Sequence, residues 1–279
     1  MNDTATISPP EHRIQTSWRD AVLLHFRRRR WRGFYPLFRF LRPQGEIFLR
    51  TLYGATFQLR PEEYIDGAVL DEGFYESEIL AALQPWLQPG QVFWDIGANI
   101  GLNCISAAVL APGLVVHAFE PSPATVARLR TNIALNAVPV SVWPFALSDT
   151  DGEAPFFMDT TFNSGRSSLL ATATEANPAV IPMRLARADT LVARGELPAP
   201  NLVKLDVEGA ESSVLAGFGA LLGATSLRAV VFETDSALLD DPQKCPAARQ
   251  LLAAGFKLRA LTRRENTGHP LGKFLAYRS

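Results

Sequence analysis

Val92-Phe93-Trp94-Asp95-Ile96-Gly97-Ala98-Asn99-Ile100-Gly101 is the stretch that decides how this chain folds. A short apolar run of strand type, 92–96, breaks into a glycine turn, and the turn opens onto a helical segment that reaches residue 110. Gly97 and Gly101 let the backbone approach a ligand closely, and a helix N-terminus at this place offers unpaired N–H groups to an anion. A strand running through such a turn into a helix is the unit of a parallel sheet, so the rest of the chain is expected to repeat it.

It does. Strands at 114–119, 140–145, 202–207 and 227–232 alternate with helices at 123–135, 210–222 and 246–254. Residues 256–260 and 273–277 flank a turn-rich tip and read as a final antiparallel pair. Repeated βα units predict a parallel sheet covered on both faces by helices, with ligands held outside the carboxyl ends of its strands. Residues 153–189, with Pro155, Asn163-Ser164-Gly165, Asn177-Pro178 and Pro182, interrupt the rhythm as an excursion above the sheet.

Ahead of the repeat, 56–59 reads as a short strand and 75–87 as a helix; 1–18 is a loose polar tail. Between them, 18–40 interleaves Arg27–Arg30 and Arg32 with Trp31, Phe34, Tyr35, Phe38 and Phe40. Such a helix can lie on an anionic membrane or a nucleic-acid backbone, or it can cap the main domain while its arginines stay wet. We divide the chain into a basic, aromatic capping segment (1–88) and a main α/β domain (89–279).

A chain of 279 residues, 47% hydrophobic and 20% charged, has the material for a sizeable core. The net charge of −1 argues against a protein built mainly to hold nucleic acid, although the first fifty residues carry ten Arg against four acids. Cys104 and Cys245 form neither a disulfide framework nor a metal-ligand spacing, which points to a reducing, cytoplasmic setting. Neither a secretory leader nor an apolar stretch of about 20 residues is visible.

The chemistry gathers at the strand ends. A dinucleotide fingerprint needs glycines two and five places after Gly97, where this chain has Asn99 and Leu102, so an NAD-dependent oxidoreductase is disfavoured. Asp95 stands two places before Gly97 instead, an arrangement that suits S-adenosylmethionine (SAM), which carries an amino group and a carboxylate and no pyrophosphate. Glu120 ends the second strand, where a carboxylate can accept both ribose hydroxyls; it can also serve as a capping acid for the next helix. Ala146-Leu147-Ser148-Asp149 follows the third strand, the place for an adenine ring or a plain turn.

Leu202-Val203-Lys204-Leu205-Asp206-Val207-Glu208-Gly209-Ala210-Glu211 is the sharpest feature. Alternation puts Lys204, Asp206 and Glu208 on one face. A charge buried in a covered sheet needs a partner, and Asp95, Asp206 and Glu233 are the candidates for Lys204. The alternative is a structural ion pair, with Glu208 and Glu211 as first-turn acids of the following helix. Glu233 and Asp235 end the fifth strand; with Asp206 they can hold a hard divalent cation, or act as base and hydrogen-bond acceptor without one. His117 lies within a strand as a core residue, whereas His269, in the tip 262–272, has the chemistry for proton abstraction.

These residues resemble the FkbM family of SAM-dependent methyltransferases. The pieces that carry the resemblance are Asp95 to Gly101, Phe119-Glu120-Pro121, Asn132 with Leu135-Asn136, Ala146-Leu147-Ser148, Asn163-Ser164-Gly165 and Val203 to Glu211, with Gly73-Phe74-Tyr75-Glu76 as the lead-in. The resemblance implies a Rossmann-like class I methyltransferase, a seven-stranded mostly parallel sheet with its last strand antiparallel. It implies O-methylation of a hydroxyl on a sugar or natural product. By the same resemblance Asp95, Gly97, Ala98, Asn99 and Gly101 would hold the methionine end of SAM, Glu120 the ribose, and Leu147 with Ser148 the adenine. One departure is Thr190-Leu191-Val192, where the family often has Thr-Leu-Asp.

The expected catalytic group is therefore Asp206 or Glu208, orienting or deprotonating the hydroxyl, with Lys204 setting its charge and His269 as a further candidate. A divalent metal at Asp206, Glu233 and Asp235 is the less favoured arrangement. The expected partner is a small hydroxyl acceptor, sugar, glycolipid or polyketide-like, shaped by 153–189 and 262–272; peripheral membrane contact would run through 18–40. The non-enzymatic alternative is a SAM-binding or membrane-docked accessory protein.

Overall fold

The computed structural model describes residues 45–158, 179–264 and 271–278. The basic-aromatic segment 18–40, the middle of the excursion and His269 lie outside the described residues. In chain order the elements are β1 (Ile47–Arg50), β2 (Thr56–Leu59), α1 (Tyr64–Glu72), α2 (Ser77–Leu83), β3 (Val92–Ile96), α3 (Leu102–Leu110) and β4 (Val115–Phe119). There follow α4 (Pro123–Asn136), β5 (Val140–Trp143), β6 (Ala146–Leu147), β7 (Gly152–Met158), β8 (Ala179–Ala186), α5 (Ala188–Ala193) and β9 (Leu202–Leu205). The chain closes with α6 (Glu211–Gly217), β10 (Ala229–Asp235), α7 (Pro246–Ala253), β11 (Lys257–Arg264) and β12 (Leu271–Tyr277).

The central sheet has seven strands in the order β11-β12-β10-β9-β3-β4-β5. The five from β10 to β5 run parallel; β12 is antiparallel to both β10 and β11. This is the doubly covered α/β sheet that the alternating strands and helices predict. Alternation splits its side chains between two cores. Phe93, Leu202, Ala229 and Val231 face one, with α3 and the β1–β2 hairpin; Trp94, Val203, Val230 and Phe232 face the other, with α6 and α7.

Local chemistry sets the boundaries. Ser122 caps α4 by accepting from the Thr125 N–H at 3.5 Å, Pro123 fills its first turn, and Ala137 ends it in the left-handed region. The helix expected over 75–87 is shorter, because Pro85 reduces its end to the 3-10 turn Gln84–Trp86. The one expected over 210–222 stops at Gly217, where a Cβ would lie 1.9 Å from the Ser148 carbonyl oxygen, and continues as the 3-10 helix Gly219–Gly223. The strand expected over 202–207 ends at Leu205, since Glu208 and Gly209 both take positive φ and turn the chain out of the sheet.

Two smaller sheets flank the large one. β1 and β2 form an antiparallel hairpin whose Phe57 and Leu59 are fully buried against the main core. Helix α4 holds this hairpin by two side chains. Asn136 both accepts from the Thr56 N–H (2.8 Å) and donates to its carbonyl (2.6 Å). Asn132 accepts from the Gln58 N–H (2.8 Å) and donates to Ile100 O (3.0 Å), tying the hairpin to the glycine turn. The excursion is a sheet of its own, β6-β8-β7, with β8 parallel to β6 and antiparallel to β7. His117 is only half satisfied: Nδ1 accepts from Trp143 Nε1 at 3.0 Å, and Nε2 is buried without a partner among the described residues.

Beyond β12, Arg278 stacks 3.9 Å over the Phe256 ring and donates to the carbonyls of Leu222, Ala224, Leu227 and Ala254, closing three segment ends at once. Among the described residues no helix is long and apolar enough to cross a membrane, and both cysteines are free and buried.

Candidate active site

One cavity opens where β3, β4, β9 and β10 end, and the expected chemistry surrounds it. Its lining includes Gly97, Ala98, Asn99, Glu120, Leu147, Lys204, Asp206, Glu208 and Glu233. The glycine turn after β3 is held tightly. The N–H groups of Gly97 and Ala98 both donate to Phe119 O, at 3.0 and 2.9 Å, so the turn is locked to the end of β4. Gly97 has φ +76°, and a Cβ there would sit 1.8 Å from Asp206 O. Only glycine fits where these two backbones cross. Asn99, also at positive φ, donates its N–H to Glu120 Oε2 at 3.0 Å, and the Ser122 N–H donates to Oε1 at 2.9 Å.

Glu120 therefore stands on the wall with one backbone donor on each oxygen and further lone pairs to offer. Burial pushes its carboxyl up to about 7, against the lowering effect of the Ser122 and Asn99 N–H groups and of Lys204. Phe145, Ala146 and Leu147 line the wall beside it.

Lys204 is buried between β3 and β9. Register places it opposite Asp95, and its Nζ lies 3.4 Å from Asp95 Oδ1 and 3.4 Å from Asp206 Oδ2 while donating to Gly97 O at 2.6 Å. Burial works against the ammonium, but Asp206 and Asp95 outweigh it and raise the Lys204 pKa. Two of its three expected partners are thus correct. Glu233 is not one of them, because β10 sets Val231 opposite Lys204 and carries Glu233 two residues further.

Glu233 has a lysine of its own. β12 places Lys273 opposite it, with Nζ 3.1 Å from Glu233 Oε2 and 2.8 Å from Glu76 Oε1. Lys273 is 2% exposed and Glu76 4%. Glu76 sits just ahead of α2 in the left-handed region, φ 55°, a conformation that side chains other than glycine and asparagine rarely take. Burial raises the Glu233 pKa, and the negative charge of Asp206 adds to it; Lys273 opposes. Carboxylate oxygens of Glu76, Asp206 and Glu233 all lie within 4.8 Å of one another.

The structure redistributes several expected roles. Asp95 is wholly buried beneath the cavity: Oδ2 accepts from the Cys104 N–H at 2.9 Å, so it caps α3 and pairs Lys204 instead of facing a ligand. Gly101 is buried against Ile105 and Leu129, and Ser148 donates its hydroxyl to Asp149; neither lines the cavity. Asp235 is exposed and stands outside the acid cluster, roughly 7 Å further along β10, at the rise of about 3.4 Å per residue. Glu208 lies at the exposed rim. Glu211 bonds the Val207 and Gly209 N–H groups at 3.2 and 3.3 Å, a structural cap. Glu76 and Lys273 were not singled out as chemistry by the sequence; a lysine in the apolar run Leu271 to Tyr277 was the available signal.

A family model described as the methyltransferase FkbM domain matches residues 95–258. The 31-O-demethyl-FK506 methyltransferase FkbM of Streptomyces tacrolimicus is 34% identical over 47% of this chain and 60% of its own length. The hexuronic acid methyltransferase AglP of Haloferax volcanii is 33% identical over 51% of this chain and 56% of its own. The chain thus spans somewhat more than half the length of these curated relatives. The solved methyltransferase FkbM of Methylobacillus flagellatus aligns with 68% of this chain and 44% of its own, at 16% identity and a TM-score of 0.44.

Proposed function

The chain belongs to the FkbM methyltransferase family, and from that premise we propose that it transfers a methyl group from SAM to a hydroxyl of a sugar or a natural product. The observation that carries the reading is a single cavity that joins the glycine turn, the Glu120 carboxylate, Asp206 just after β9 and Glu233 on β10. The residues fit SAM: the lone pairs of Glu120 suit vicinal ribose hydroxyls, Phe145, Ala146 and Leu147 suit a flat apolar ring, and the turn from Gly97 to Asn99 suits the methionine end. When bound, SAM supplies an electrophilic methyl group on a positively charged sulfur. The chain's own work is positional, holding an acceptor oxygen in line and taking its proton.

The relatives' names favour the acceptor class: one acts on demethylated FK506 and the other on a hexuronic acid. Both are hydroxyl-bearing small molecules. A capping role for residues 1–88 beside a methyltransferase domain over 89–279, and a cytoplasmic setting, belong to the same proposal. The buried packing of the β1–β2 hairpin on the main core and the two free, buried cysteines support them.

Calorimetry with SAM and with NAD, repeated on Glu120→Ala, tests the cofactor. Micromolar binding of SAM that the substitution abolishes, with NAD silent, is the expected result; a folded chain that ignores SAM would remove the enzyme reading.

A further inference from the structure

We propose that Glu233 is the group that receives the acceptor's hydroxyl proton, and that Lys273, gripped by Glu76, is the fixed cation that positions it. The inference rests on the methyltransferase reading and deepens it. The order of the strands carries the first part. Along the row of strand ends, Glu120 stands after β4, Gly97 after β3, Asp206 after β9 and Glu233 on β10. Neighbouring strands lie about 4.8 Å apart, so β4 and β10 are roughly 14 Å apart. A cofactor whose ribose rests on Glu120 and whose methionine end rests on the turn after β3 leaves the β9–β10 end of the cavity to the acceptor.

Besides Glu120, four acids among the described residues line the cavity: Glu208 at the exposed rim, Glu76 paired with Lys273, and Asp206 and Glu233 at the ends of β9 and β10, whose surroundings differ. Asp206 is tied to Lys204, which also holds Asp95 and Gly97 O and belongs to the frame of the glycine turn. Glu233 pairs with Lys273 through Oε2, and its carboxylate lies within 4.8 Å of those of Asp206 and Glu76. Negative neighbours make a carboxylate more ready to take a proton. In the step itself the acceptor's O–H bond breaks, an O–H bond forms on Glu233, and the freed oxygen pair bonds the methyl carbon. The sulfur keeps the electrons of its old bond and becomes neutral.

The three carboxylates of Glu76, Asp206 and Glu233 are also a donor set that a divalent ion could use. Lys273 Nζ already sits within 3.1 Å of two of them. One positive charge is thus built into the cluster from β12, and Glu76, held in its unusual backbone conformation, is the second carboxylate that anchors the ammonium.

Two arms test this. In the first, the apo chain is titrated with Mn²⁺ and followed by paramagnetic resonance. The wild-type chain should leave the ion free, Lys273→Met should take it up, Lys273→Arg should not, and adding Glu233→Gln to Lys273→Met should abolish uptake. Should Lys273→Met fail to fold, the wild-type chain still decides, since Mn²⁺ bound there and lost on Glu233→Gln would overturn the proposal. The second arm follows label from methyl-tritiated SAM onto methyl β-D-glucuronide. Glu233→Gln should cut kcat by about 100-fold or more with SAM affinity unchanged; undiminished transfer would overturn Glu233 and return the role to Asp206. A wild-type chain that binds no SAM counts against the methyltransferase reading instead. SAM bound with no label on the glucuronide counts against this carbohydrate acceptor, and the Mn²⁺ arm then decides on Lys273.

Discussion

Gly97 and Glu120 show how much the cavity asks of single residues. At Gly97 a methyl group would meet the Asp206 carbonyl at 1.8 Å, and φ is positive as well. Gly97→Ala should lower unfolding free energy by about 3 kcal/mol or more, combining backbone strain with overpacking, and urea denaturation measures it. Glu120 carries a pH signature. Its pKa rises on folding from 4.5 to about 7, so the fold favours the neutral acid. That contribution is complete below the unfolded value and is lost as pH climbs through about 7. The thermal midpoint of the ligand-free chain should therefore fall between about pH 5 and pH 8, and Glu120→Gln should flatten that slope.

At the scale of elements, β3 and β9 are joined by a charge as well as by backbone bonds. Lys204→Met would leave Asp95 buried without its cation, and the expected cost is about 3–5 kcal/mol, read from chemical denaturation. Helix α4 and the β1–β2 hairpin are joined by amide side chains. Asn132→Leu removes the partners of the Gln58 N–H and Ile100 O, at about 1–3 kcal/mol for each buried group left unmade. Hydrogen exchange should find the Gln58 amide deprotected before the central strands open. Elements of this kind were legible in the sequence, because a strand breaking into glycines and a helix, repeated along the chain, has few other readings. Their cross-links were less so. Adjacent strands make Asp95 a candidate partner for Lys204, but the choice between Asp95 and Glu233 depends on register, which residue order does not show. Lys273 and Glu76 stayed silent for the same reason: an antiparallel strand and a positive-φ residue far ahead in the chain bring them together.

The whole molecule is held closed near its last strand. Arg278 satisfies carbonyls at the ends of the 3-10 helix after α6, the approach to β10 and the end of α7 while stacking on Phe256. Arg278→Ala should cost about 2–3 kcal/mol, since charged donors are lost to several carbonyls together; a lowered denaturant midpoint with unchanged slope would record it. The position of β12 has a consequence for synthesis. This strand slots between β10 and β11, both of which leave the ribosome before it. Until it arrives, a nascent chain offers the bare edge of β10 to any extended peptide nearby, and Glu233 stands without the ammonium of Lys273. Copies that lack β12 are thus sticky, and its arrival both seals the edge of β10 and brings the Lys273 ammonium to Glu233.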